Sequence, residues 1–163
     1  MKKTRRFVAL LLAAVLALAL FTACGAAGQP QPTIGEEYEK WFVADLKEYL
    51  EPDETIQKVE CPEMRAALAK LDKDLEFKAK DGRYKNGFKE SWMILSDPIV
   101  WKVPDEGIAK AVALSPENIK KYGAETMIAS MHWGQNCKIK YDIATRVIDG
   151  KTYAAVYFHI EHQ

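Results

Sequence analysis

The pattern of apolar and polar positions divides the chain into an apolar front, a neutral linker and a patterned body. Val8–Phe21 is a run of fourteen residues without a charge, a polar side chain, Gly or Pro. Residues 25–35 (GAAGQPQPTIG) are small, Pro-containing and uncharged, the composition of a flexible spacer. From Glu36 onward the pattern becomes periodic. Tyr38, Trp41, Phe42, Leu46, Tyr49 and Leu50 recur at helical spacing, and Glu36 and Glu37 favour the positive end of a helix over 36–50. Cys61-Pro62-Glu63 opens a second helix with Pro in its first turn and Met64, Ala67, Leu68 and Leu71 along one side.

Strand patterns follow. Leu75, Phe77 and Ala79 alternate with Glu76, Lys78 and Lys80. Asp81-Gly82 and Asn86-Gly87 are both hairpin signals, one of which turns the chain into Phe88–Leu95. Trp92–Leu95 is continuously apolar and predicts a strand covered on both faces; Ile99–Val103 predicts another. Residues 104–133 read as helical. One segment runs from Pro104 through Leu114, one opens at Ser115-Pro116-Glu117 and closes at Gly123, and a third covers Ala124–Trp133.

The C-terminus carries the sharpest pattern. Asp149-Gly150 between two alternating runs is a two-residue turn, and it pairs positions whose numbers sum to 299. Ile143 then faces Val156, Tyr141 faces Phe158 and Ile139 faces Ile160. On the other side Lys138 faces Glu161, Lys140 faces His159 and Asp142 faces Tyr157. A slip of one residue would destroy both faces, so the register is well specified. The fold class that follows is α+β: a two-layer domain over 36–163, with N-terminal helices packed on a mostly antiparallel sheet that ends in this long hairpin.

The front end changes the setting of the rest. Lys2, Lys3, Arg5 and Arg6 precede an apolar run too short to span a bilayer, which needs about 20 residues; this is a signal-peptide pattern. The run ends in Thr22-Ala23-Cys24-Gly25, which resembles the lipobox of bacterial lipoproteins. The resemblance covers only residues 1–25. It implies diacylglyceryl attachment at Cys24, cleavage before it, and a mature protein anchored to the bacterial cell membrane on the extracytoplasmic side. The alternatives are ordinary secretion and an uncleaved anchor. The resulting division is a signal peptide (1–23), a lipidated tether (24–35) and one globular domain (36–163). Cleavage removes 23 of the 163 residues and four of the 23 basic side chains, leaving a net charge of about −4. That balance argues against nucleic-acid binding, which needs a basic patch.

Little in 36–163 points to chemistry. With Cys24 taken by lipid, Cys61 and Cys137 form an even pair in an exported protein. A disulfide between them would close a loop of about 76 residues and contribute about 4 kcal/mol; the alternative is two separate buried thiols. The hairpin register sets Cys137 opposite His162, a pairing that could activate a thiol or seed a metal site, although no third group is evident to orient the imidazole. His159 and His162 point to opposite faces of a strand and cannot share a metal. Asp72 and Asp74 lack the following Gly and Glu of a calcium loop. No phosphate loop, serine-nucleophile elbow or zinc spacing is present. The expectation is therefore no catalytic residue, no metal and no cofactor. The chain reads as a membrane-anchored surface lipoprotein acting as a non-enzymatic binding module for a protein or small ligand. An accessory subunit of an envelope complex and an extracytoplasmic enzyme are the alternatives. Trp92, Trp101 and Trp133 are the aromatic side chains such a binding surface could use.

Overall fold

A long antiparallel ladder runs through the computed structural model, which describes residues 31–84, 87–97, 106–123 and 136–162. β5 (Cys137–Ile148) and β6 (Lys151–His162) pair over twelve positions, every one summing to 299. Asp149 and Gly150 both take positive φ, 49° and 74°, the left-handed pair that a two-residue turn between right-twisted strands requires.

Four further strands complete a six-stranded sheet. They are β1 (Thr55–Lys58), β2 (Glu76–Tyr84), β3 (Gly87–Ile94) and β4 (Glu106–Lys110), in the spatial order β1-β5-β6-β3-β2-β4. Among the described residues only the β1–β5 pair is parallel. β2 runs straight through Asp81-Gly82, with a register shift between Gly82 and Arg83, so that hairpin signal marks an irregularity within a strand. Trp92, Met93, Ile94 and Leu95 are all buried, as a doubly covered strand requires.

Two helices cover this sheet. α1 (Ile34–Glu48) starts at Thr33, whose hydroxyl accepts from Glu36 N while Thr33 N donates to the Glu36 carboxylate at 2.7 Å. Its Tyr38, Phe42 and Leu46 pack with Ile139, Tyr141, Ile143, Val156, Phe158 and Ile160, the apolar face of the hairpin. Gly35 lets the helix start close to β5: a Cβ there would lie 2.6 Å from Thr145 Cγ2. Tyr38 Oη donates to the Tyr122 carbonyl at 2.8 Å, tying α1 to a short 3-10 turn, Ile119–Tyr122.

α2 (Pro62–Lys70) packs Met64 and Leu68 with Tyr153, Ala155, Tyr157, Trp92 and Ile94. Residues 153, 155 and 157 alternate with 154, 156 and 158 along β6, so α1 and α2 lie on opposite faces of the sheet. The fold is α+β with a C-terminal hairpin, and its two helices flank the sheet rather than sharing one side.

The helical reading of 104–114 is corrected: Glu106–Lys110 is strand β4, paired antiparallel with β2. Pairing to an available sheet edge overrides the modest helix preference of these residues. The Ser115 segment is a 3-10 turn rather than an α-helix. In it Ser115 N donates to Asn118 Oδ1 at 2.6 Å, and Asn118 N donates to Ser115 Oγ at 3.3 Å. The signal segment and Cys24, the strand expected at Ile99–Val103, and the helix expected at Ala124–Trp133 lie outside the described residues.

Candidate functional site

The same face of the sheet that carries α2 also carries a network of charge. Asp142 on β5 is fully buried. Its Oδ2 accepts from Cys61 N and from Arg65 Nε, both at 2.8 Å, and its Oδ1 accepts from Arg65 Nη2 at 2.6 Å. The carboxylate therefore meets the amino end of α2 and a bidentate guanidinium together. Four residues on, Arg146 donates to the Leu68 carbonyl at 3.0 Å and to that of Ala69, at the opposite end of the same helix. Nine helical residues span about 13 Å, and four strand steps span about the same. β5 thus offers an anion to one end of the helix dipole and a cation to the other. Arg65 is held more firmly protonated by its hydrogen bonds to Asp142. Asp142 is a buried structural ion. The one signal of its role in the sequence is that its cross-strand neighbour is Tyr157, with no cation opposite to answer its charge.

The two thiols do not meet. Cys61 and Cys137 are both free and buried. Cys61 sits at the start of α2 in one core, and Cys137 lies in the core beneath α1 on the other face. No disulfide joins them, because the sheet stands between. The expected register of Cys137 with His162 is present in the ladder. The Cys137 thiol, however, donates to Glu54 Oε1 at 3.0 Å. Burial pushes it up to about 12, and the hydrogen bond and charge of Glu54 add to the effect. Burial likewise raises Cys61, outweighing its place at a helix start. Both thiols are held protonated, the opposite of what a cysteine nucleophile needs. Among the described residues no group of three His, Cys, Asp or Glu side chains is placed to hold a metal.

α2 lies mainly over β5, β6 and β3, and on the same face beyond it the side chains of Lys78 and Ile108 stay exposed. The result is a cleft of about 410 Å³ between α2 and β2. Ala67 and Leu71 form its helical wall and Trp92 lines it from β3. Its rim carries Lys70, Lys78, Lys80, Glu63, Glu76 and Glu106. Lys80 reaches Glu63 at 3.1 Å, and Lys78 pairs with Glu106. The Trp92 side chain is 8 % exposed, and its Nε1–H has no hydrogen-bond partner among the described residues. A buried indole N–H without an acceptor carries a desolvation cost. Of the tryptophans proposed as surface aromatics, Trp92 thus belongs to a cleft, while Trp101 and Trp133 lie outside the described residues.

No helix among the described residues is long and apolar enough to cross a membrane. Comparison with protein-family models, with curated proteins and with solved structures gives no match.

Proposed function

We propose that the chain is a bacterial surface lipoprotein whose folded part is a non-enzymatic binding module. Acyl chains on Cys24 hold it to the membrane, residues 25–32 space it from the bilayer, since the expected tether residues 33–35 belong instead to the start of α1, and the cleft between α2 and β2 receives its ligand. Two or three acyl chains anchor firmly, since each buried CH₂ contributes about 0.8 kcal/mol.

The observation that carries the binding reading is the cleft itself. It has an apolar wall, a buried tryptophan and a rim of both charges. Such a lining suits an amphipathic ligand with an aromatic or aliphatic body and polar ends. The two protonated thiols favour binding over thiol catalysis.

The test uses anilinonaphthalene sulfonate, an anionic aromatic probe matched to that wall and to Lys70, Lys78 and Lys80. The purified chain should bind it saturably at one site. Ala67→Trp, which fills the cleft from the helix side, should weaken binding at least tenfold without lowering the melting temperature. Equal binding by the variant, or uptake that never saturates, would contradict the assignment.

A further inference from the structure

α2 has a second flank. Away from the cleft it lies along β5, and there Arg65, Leu68, Ala69, Ala144, Thr145 and Arg146 line a pocket of about 360 Å³. The only charged side chains among these six are the two arginines. Residues 142, 144 and 146 share one face of β5. Asp142 holds Arg65 at one end of that row, and the α2 carbonyls hold Arg146 at the other. Ala144 stands between them, and its methyl group fills little of the gap. Each guanidinium carries five N–H donors. Arg65 gives two to Asp142, from Nε and Nη2, and keeps three. Arg146 gives its Nη1 donors to the Leu68 and Ala69 carbonyls and also keeps three, on Nε and Nη2. Two positive charges stand against one buried carboxylate, Asp142. Glu60 comes only within 3.9 Å of Arg65 Nε and is itself exposed.

We propose that this pocket binds a phosphate group between Arg65 and Arg146. Guanidinium donors form a planar fork that matches phosphate oxygens two at a time, and a tetrahedral anion accepts from two such forks at once. The bonds to Asp142 and to the end of α2 already hold both side chains in place, so little rotamer freedom is lost when the anion enters. Two sources carry this chemistry. One is a soluble phosphate. The other is a lipid headgroup: Gly35 packs closely against Thr145 in the pocket wall, so the pocket lies near the start of α1, where the spacer joins the domain. That second source rests on the lipid-anchor reading; the site itself does not, nor does it depend on what the cleft binds.

The test is titration calorimetry on the full chain, extracted in a nonionic detergent and held in chloride buffer at constant ionic strength. Inorganic phosphate should bind saturably, one per chain, with a dissociation constant on the order of 1 mM, as a few charge-assisted bonds at a partly exposed site imply. Glycerophosphoglycerol, the tail-free headgroup of phosphatidylglycerol, is the second probe. Tighter binding of inorganic phosphate assigns the site to a soluble phosphate, and equal or tighter binding of the diester assigns it to a headgroup; either supports the proposal. Ala69 is exposed. Ala69→Glu brings a carboxylate into the pocket and should weaken binding at least tenfold. Ala69→Gln, of the same size but neutral, should weaken it less than threefold. Arg146→Gln, whose amide can still donate to an α2 carbonyl, should weaken it at least tenfold. Absence of saturable binding by either probe, unchanged binding by Ala69→Glu or Arg146→Gln, or equal losses in Ala69→Glu and Ala69→Gln would each overturn the proposal.

Discussion

Cys137 shows how burial decides chemistry at the level of one side chain. In the sequence it stands opposite a histidine. In the fold its thiol donates a hydrogen bond to Glu54, and burial, aided by that bond, raises its pKa from 9.0 to about 12. Tyr157 is raised from 10.0 to about 12, first by burial and then by Glu90. Both groups are neutral when protonated and held protonated in the fold, while the unfolded chain releases their protons near pH 9 and 10. Their contribution to stability is thus complete below pH 9 and is lost as pH rises toward 12. Each group can contribute a slope of up to about 1.4 kcal/mol per pH unit in that window. The urea midpoint should fall between pH 8 and pH 10.5, and it should fall less in Cys137→Ala. An equal fall in the two proteins would remove Cys137 from the explanation. The sequence could not show this, because Glu54 is 83 residues from Cys137 and belongs to a segment with no pattern of its own.

At the level of elements, the clearest energetic feature is the clamp of β5 on α2. Removing either partner of the Asp142–Arg65 pair has unequal consequences. Arg65→Ala strands a carboxylate with no exposure and only the Cys61 N–H left among its three donated bonds. Asp142→Ala leaves an arginine whose side chain is already 40 % exposed and can turn to water. Arg65→Ala should therefore cost about 3 kcal/mol and Asp142→Ala about 2 kcal/mol. The double variant should cost less than the sum, read by urea unfolding. Simple additivity would mean that the two side chains act independently. The elements themselves were unevenly legible. The hairpin was readable to the residue, because Asp149-Gly150 leaves one register that sorts apolar from charged. α1 was readable from its stripe and its acidic start. β1 was not: Thr55–Lys58 is four residues long and has little apolar content. β4 was misread because Gly107 and Ala109 carry no strand signal, and only the presence of β2 beside them makes a strand.

For the whole molecule, the sequence supplied the class of fold. What it left out was the distribution of helices between faces. Helical periodicity shows that Met64 and Leu68 are buried but not which side of a sheet receives them. That side was decided by Asp142 and Arg146, two charges on a strand face that otherwise reads as solvated. The cleft is a consequence of this choice, since α2 lies mainly on β5, β6 and β3 and leaves Lys78 and Ile108 exposed beyond it. A lipid-held domain with such a cleft would present it to whatever the extracytoplasmic space contains.

The proposal that unites these scales is that the domain is exported and held by acyl chains on a single sulfur. The most direct test is the intact mass of the membrane-extracted product from cells fed labelled palmitate, compared with Cys24→Ala. The account predicts a chain beginning at Cys24, carrying label and two or three acyl groups, and a variant that loses both label and membrane retention. A product with an unmodified Cys24, or with residues 1–23 still attached, would contradict it.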